Sequence, residues 1–251
     1  MVNDPDTRLI YIDFSNDTFK LGGSAFFQSM GMIGEEVPTV TDPARFVRVF
    51  NLVQSFIEEG KILAGHDISS GGLITCLMEM CFSNPEGGLE ADISGLHAET
   101  IPALFSEKPG IIIQVKNVFE ISAILEKEDI HHHIIGRPID ERIIQLHTSE
   151  DDYDLEIDYY RDIWFKSSYL LDQKQTGETL ALERFRNYRH HPLKPEMNGF
   201  KGRFRDHGID PGRRDASGIK AAIIREKGVN GDREMAYAMY LAGFDVKDVH
   251  M

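Results

Sequence analysis

Apolar and polar positions change period along the chain, and each change predicts an element. "RLIYIDF" (8–14) alternates like a strand, and 22–31 reads as a short helix opened by glycines. Phe46, Val49, Phe50, Val53, Phe56 and Ile57 then recur at helical spacing between Pro43 and Gly60, with Asp42 as cap and Pro43 in the first turn. "KILAGHD" (61–67) predicts a buried strand and "GGLITCLMEMCFS" (71–83) the helix after it. Strands follow at 88–94 and 110–117, a helix at 118–128, and strands at 132–138 and 142–148. Two helices are expected at 159–175 and 178–191, and periodicity disappears from 192 to 217. It restarts as a strand (219–226), a helix (233–243) and a second strand (244–250). This order predicts an α+β fold with a mixed sheet, layered α/β/α, followed by a truncated βαβ unit.

The last unit carries an expectation of its own. One βαβ unit of about 30 residues exposes both faces of its sheet and cannot bury a core by itself. The pattern therefore predicts that the C-terminal piece opens a further domain and that the chain is a fragment of something longer. The net charge of −14 speaks against nucleic acid as a general partner. It is uneven, because nine Lys/Arg face three Asp/Glu between Arg184 and Arg214. That basic stretch reads as a linker docking on an acidic surface of its own chain or as an RNA-binding arm, and no aromatic platform accompanies it. No apolar run reaches the roughly 18–20 residues of a membrane span, and the first residues do not resemble a signal peptide. Cys76 and Cys81, the two cysteines, fall in one apolar helical run and read as core thiols, with a reducing cytoplasm as the default setting.

Candidate chemistry concentrates in "GHDISSGGL" (65–73). Asp67 offers a hard carboxylate for Mg²⁺, Ser69 a hydroxyl for a phosphate, and Gly71 and Gly72 let backbone N–H groups approach an anion where a helix begins. The competing reading makes Asp67 or Ser69 a helix cap and His66 a structural hydrogen-bonding residue. His131–His133 invite a metal reading, but alternation puts His131 and His133 on one strand face and His132 on the other. "GVNGDRE" (228–234) reads as an anion-binding loop or as a tight turn into a helix. No nucleophile with a base beside it can be argued.

Several stretches together resemble one family. "LGGSAFFQ", "AGHDISSGGLITCLMEMCFS", "LFSEKPGIIIQV", "RDIWFKSSYLL" and "IIREKGVNGDREMAYAMYLAGFDVKDVHM" resemble, in the same order, the large-form phosphoribosylformylglycinamidine synthases. The first glycine-rich motif is also similar to aminoimidazole ribonucleotide synthetase and selenophosphate synthetase, whereas the last stretch is similar to the start of a glutaminase domain. The resemblance implies an aminoimidazole ribonucleotide synthetase C-terminal-like domain over 1–157 and a helical and irregular linker over 158–217. Residues 218–251 would be the first βαβ unit of a class I glutamine amidotransferase domain. It implies a ligase that uses ATP and glutamine to amidate formylglycinamide ribonucleotide in purine biosynthesis. Asp67 would ligate Mg²⁺, and Ser69, Gly71 and Gly72 would contact ATP or ADP, with His66 supporting, at a site shared with other domains of the parent chain. Catalytic residues would lie outside this stretch, so the fragment alone would be inactive. Ile68 and Ser70 stand where the family often has arginine and aspartate. Two other readings are a complete small member of the same ATP-binding superfamily and a binding module built on the basic 184–214 segment.

Overall fold

A computed structural model describes residues 1–187, 202–226, 228 and 230–250. The helix expected at 178–191 is described as far as 187; its last turn, much of the basic stretch, and Lys227 and Val229 lie outside the described residues. Contact density divides the chain into two compact units, Met1–Pro192 and Leu193–Met251.

The first unit is built on a seven-stranded sheet in the order β2-β4-β1-β5-β3-β6-β7. The strands are β1 (Arg8–Asp13), β2 (Ile62–Asp67), β3 (Gly88–Asp92), β4 (Gly110–Val115), β5 (His132–Ile139), β6 (Ile143–His147) and β7 (Asp152–Glu156). β1 runs antiparallel to both neighbours, with Asp13 opposite Gly110 of β4 and Ile12 opposite His132 of β5. β2 pairs antiparallel with β4, placing Asp67 opposite Ile111. β3 and β6 are the parallel pair, so strand directions are mixed as the sequence predicts.

Alternation along β1 divides the core in two. Ile10 and Ile12 face α2 (Pro43–Glu58) and α5 (Val118–Lys127), where Val49, Val53, Phe56, Ile121 and Leu125 meet Ile113 and Val115. Leu9 and Tyr11 face the other way, toward α3 (Gly72–Phe82), α4 (Thr100–Phe105) and Ile157 at the start of α6 (Ile157–Thr176). Helices therefore lie on both faces, and the layered α/β/α expectation is met. Asp42 caps α2 by accepting from the Arg45 N–H at 2.9 Å, with Pro43 in the first turn. α1 (Ala25–Ser29) is the short helix expected near residue 25.

α6 and α7 (Glu178–Arg186) form a hairpin that belongs to the first unit by contact density, within the 158–217 stretch that reads as a connector. Arg161 is buried between Phe165 and Phe185 and donates to the Phe185 carbonyl at 3.1 Å, clamping the two helices together. Arg142 ties the start of α6 to the end of α3. It reaches Asp158 at 3.2 Å and donates to the Cys81 and Gly87 carbonyls at 3.2 and 3.0 Å.

The second unit holds two parallel strands, β8 (Lys220–Arg225) and β9 (Asp245–His250), joined through α8 (Asp232–Leu241). Gly231 precedes α8 with φ +83°, a left-handed turn open to glycine. The Asp245 carboxylate accepts the Ser217 and Gly218 N–H groups at 2.8 and 2.7 Å and pairs with Arg213 at 3.0 Å. The Ser217 N–H first, then the guanidinium and the Gly218 N–H, hold its pKa down at about 2. Among the described residues, no helix is long and apolar enough to cross a membrane.

Candidate functional site

β2 ends in His66 and Asp67, and four residues separate it from α3. Asp67 projects with 77% of its side chain exposed, and Ser69 is exposed in the same turn. Neither caps α3. The cap position is Gly71, at φ +88°, with no side-chain cap bond among the described residues. The capping alternative for Asp67 and Ser69 thus falls, because the chain reaches the helix through two left-handed glycines that put both side chains outside it.

The same geometry revises what the glycines do. The Gly71 N–H donates to Glu107 Oε1 at 2.9 Å and the Gly72 N–H to the Ser69 carbonyl at 3.0 Å. An anion would meet neither group free. Gly72, at φ +74°, packs so closely that a Cβ would lie 2.6 Å from the Leu104 carbonyl oxygen. These positions demand glycine for backbone shape and close packing. Glu107 Oε1 also accepts the Ala25 N–H at 2.7 Å, and Phe26 stacks on Phe105 at 4.5 Å, so the "LGGSAFFQ" loop is fastened beside the start of α3.

His66 is gripped from both sides. Its Nδ1 lies 2.7 Å from the Asp67 carbonyl oxygen, an acceptor, so Nδ1 donates. Its Nε2 lies 3.1 Å from Glu79 Oε2 on α3, and the other carboxylate oxygen of Glu79 accepts the Trp164 indole N–H at 2.9 Å. The Cys76 thiol points at the His66 carbonyl at 3.5 Å. Burial pushes the Cys76 thiol pKa well up, and Cys81 up to about 12, as befits core thiols rather than nucleophiles.

A buried ion cluster closes the end of β1. Asp13 ends β1 two strands from Asp67, on the order of 10 Å away at normal strand spacing. Its carboxylate faces Lys108 Nζ at 3.1 Å and Arg45 Nη1 at 4.0 Å, and all three residues are buried. His132 and His133 sit at the start of β5, and among the described residues no group of three His, Cys, Asp or Glu side chains is arranged to hold a metal ion.

Mg²⁺ needs oxygen ligands and is commonly held by one or two carboxylates together with phosphate oxygens and water. A single exposed Asp67 fits that role and not that of an all-protein cage. Glu107, Glu79 and Trp164 escape a reading of the sequence because their partners lie 36, 13 and 85 residues away along the chain. The signals were faint: Glu79 is the lone charge in an otherwise apolar helix, and Glu107 falls in "SEKPG".

Comparison with known proteins extends the geometry. The family described as AIR synthase related protein, C-terminal domain, matches residues 15–148, and the CobB/CobQ-like glutamine amidotransferase domain matches 218–251. A probable phosphoribosylformylglycinamidine synthase of Arabidopsis thaliana, chloroplastic/mitochondrial, is 32% identical over 97% of this chain and 17% of its own length. The phosphoribosylformylglycinamidine synthase of Homo sapiens is 30% identical over 97% of this chain and 18% of its own. The chain thus spans less than a fifth of the length of these relatives. Among solved structures, T. maritima PurL complexed with FGAR aligns with a TM-score of 0.51 at 16% identity, covering 64% of this chain and 28% of that one, a likeness of fold. The chain belongs to the AIR synthase related proteins through the C-terminal domain of that family, which accounts for residues 15–148.

Proposed function

We propose that this chain supplies one wall of a nucleotide–cation site in a ligase of the phosphoribosylformylglycinamidine synthase type. The carrying observation is the exposed pair Asp67 and Ser69, held outside α3 by two left-handed glycines. On this reading the Asp67 carboxylate holds Mg²⁺ beside the phosphates of ATP or ADP, and the Ser69 hydroxyl orients a phosphate oxygen. Gly71 and Gly72 shape the turn between them, and His66 fixes its backbone. The cation supplies charge neutralisation of phosphate oxygens.

Similarity along 97% of the chain to synthases of that name, and the amidotransferase match at 218–251, support the wider reaction. In it, ATP activates the amide oxygen of formylglycinamide ribonucleotide, and ammonia drawn from glutamine displaces the phosphate. The other domains of the parent chain would complete the site, in the cytoplasm, with no nucleic acid or membrane involved. The 251-residue chain alone should neither hydrolyse glutamine nor consume ATP.

The test compares Asp67→Ala and Asp67→Asn by calorimetric titration with Mg²⁺ and ADP and by urea unfolding. Since Asp67 caps nothing, both variants should unfold within about 0.5 kcal/mol of the parent chain. Both should lose the weak binding, about millimolar, that a half-site of a few contacts provides. Binding of Mg²⁺ and ADP unchanged in both variants would defeat the reading.

A further inference from the structure

Trp164, Glu79 and His66 belong to three different elements and meet in one unbroken chain of polar contacts. The indole N–H of α6 donates to Glu79 Oε1 at 2.9 Å, Glu79 Oε2 stands 3.1 Å from His66 Nε2, and His66 Nδ1 donates to the Asp67 carbonyl at 2.7 Å. Each carboxylate oxygen of Glu79 has a different partner, and each ring nitrogen of His66 does too. The chain ends on the backbone of the residue whose side chain is the candidate cation ligand. We infer that this chain is a positioning device: the seating of α6 on α3 sets the placement of the Asp67 carboxylate, and occupancy of the site is felt at Trp164. The inference rests on the nucleotide–cation reading above.

Three observations give it physical weight. First, β2 is an edge strand, hydrogen-bonded on one side to β4, so its last residues have no second strand to fix them. His66 supplies that restraint from the side chain, and the Cys76 contact to the His66 carbonyl adds to it. Second, Glu79 is the one charged side chain on α3, and 26% of its side chain is exposed. A partly sheltered carboxylate with both oxygens engaged is costly to leave half-satisfied, so the three groups move together. Third, the outer end of the chain is adjustable. Trp164 is 52% exposed, and its ring leans on Phe82 at 5.5 Å without being enclosed. α6 is seated on α3 by Ile157 in the core and, further along, by the Trp164–Glu79 tie, with Arg142 bridging Asp158 to the Cys81 carbonyl. A shift of α6 can pass to Asp67 through side chains alone.

The sequence offers a built-in reporter, because Trp164 is the only tryptophan. The 251-residue chain is titrated with Mg²⁺ and ADP, following tryptophan emission and, independently, calorimetric heat. Asp67→Ala is the control for the site. In the parent chain, saturation should shift the emission, and Asp67→Ala should abolish both signals. Glu79→Ala breaks both links and should weaken Mg²⁺–ADP binding by about tenfold, with the emission response lost. His66→Ala should do the same. Trp164→Phe keeps the ring against Phe82 and removes only the N–H; calorimetry should show binding about threefold weaker. A merely structural role would change stability but not these Asp67-dependent signals. Asp67-dependent binding that is untouched by Glu79→Ala and Trp164→Phe would overturn the inference and leave the nucleotide reading standing. Binding that ignores Asp67, or no binding at all, would overturn the nucleotide reading, and the positioning role with it.

Discussion

At the scale of single residues, Gly71 and Gly72 separate two costs that are often merged. Both have positive φ, but an added Cβ meets different neighbours: the Thr75 side-chain hydroxyl at Gly71, and the Leu104 backbone at Gly72. A hydroxyl can rotate aside, whereas a packed carbonyl cannot. Gly71→Ala should therefore cost about 1–2 kcal/mol for the left-handed backbone, plus the smaller cost of turning Thr75 off its bond to the Gly71 carbonyl. Gly72→Ala adds overpacking and should cost about 3 kcal/mol or more, with urea denaturation as the measurement. Equal losses would show that backbone conformation dominates at both. The candidate site was legible at this scale because His66, Asp67 and Ser69 are neighbours in sequence, and their residue types alone point to a cation and a phosphate. The N–H groups of the two glycines were misjudged there. The acceptor of the Gly71 N–H, Glu107, comes 36 residues later with no local pattern to announce it, and the Gly72 N–H turns back to the Ser69 carbonyl.

At the scale of elements, periodicity identified most helices and strands but missed two. β7 is acidic, "DYDLE", and its Tyr153 and Leu155 give too short an alternation to stand out; it is recognisable only as the antiparallel partner of β6. α4 is six residues long and contains Pro102, too short for a helical period to develop. The turn before β8 makes a sharper prediction. Asp245 has its pKa depressed to about 2, chiefly by the Ser217 N–H and then by Arg213. A depressed carboxylate contributes stability that is present above its ordinary pKa and lost as pH falls through the folded value. The Ser217 and Gly218 amides should therefore keep their hydrogen-bonded NMR shifts down to about pH 3 and lose them as the pH falls through about 2. In Asp245→Asn that transition should vanish, while amides of β4 remain unmoved. A Ser217 transition that survives the substitution would mean another group controls the turn.

At the scale of the whole molecule, the two units differ in how much each hides from water. β4 is buried along nearly its whole length, whereas α8 has no buried residue and β8 only alternates between exposed and half-buried. Amide exchange should thus be slow from Ile111 to Val115 and fast through β8 and β9. Mass-spectrometric exchange on the 251-residue chain would test this, and equal protection in the two segments would refute it. Layered α/β/α architecture could be read from element order, but the strand order β2-β4-β1-β5-β3-β6-β7 could not, since pairing across a sheet leaves no local trace in the residues. That order also sets a timetable. Of the seven strands in this sheet β1 comes first along the chain, and Leu9, Ile10 and Ile12 in it are fully buried. Its two partners are β4 and β5, so a ribosome must add more than a hundred residues before the strand is flanked on both sides. Throughout that interval a sticky, unpaired strand waits in the nascent chain, which makes its early shelter, rather than its final stability, the vulnerable stage in the life of this fold.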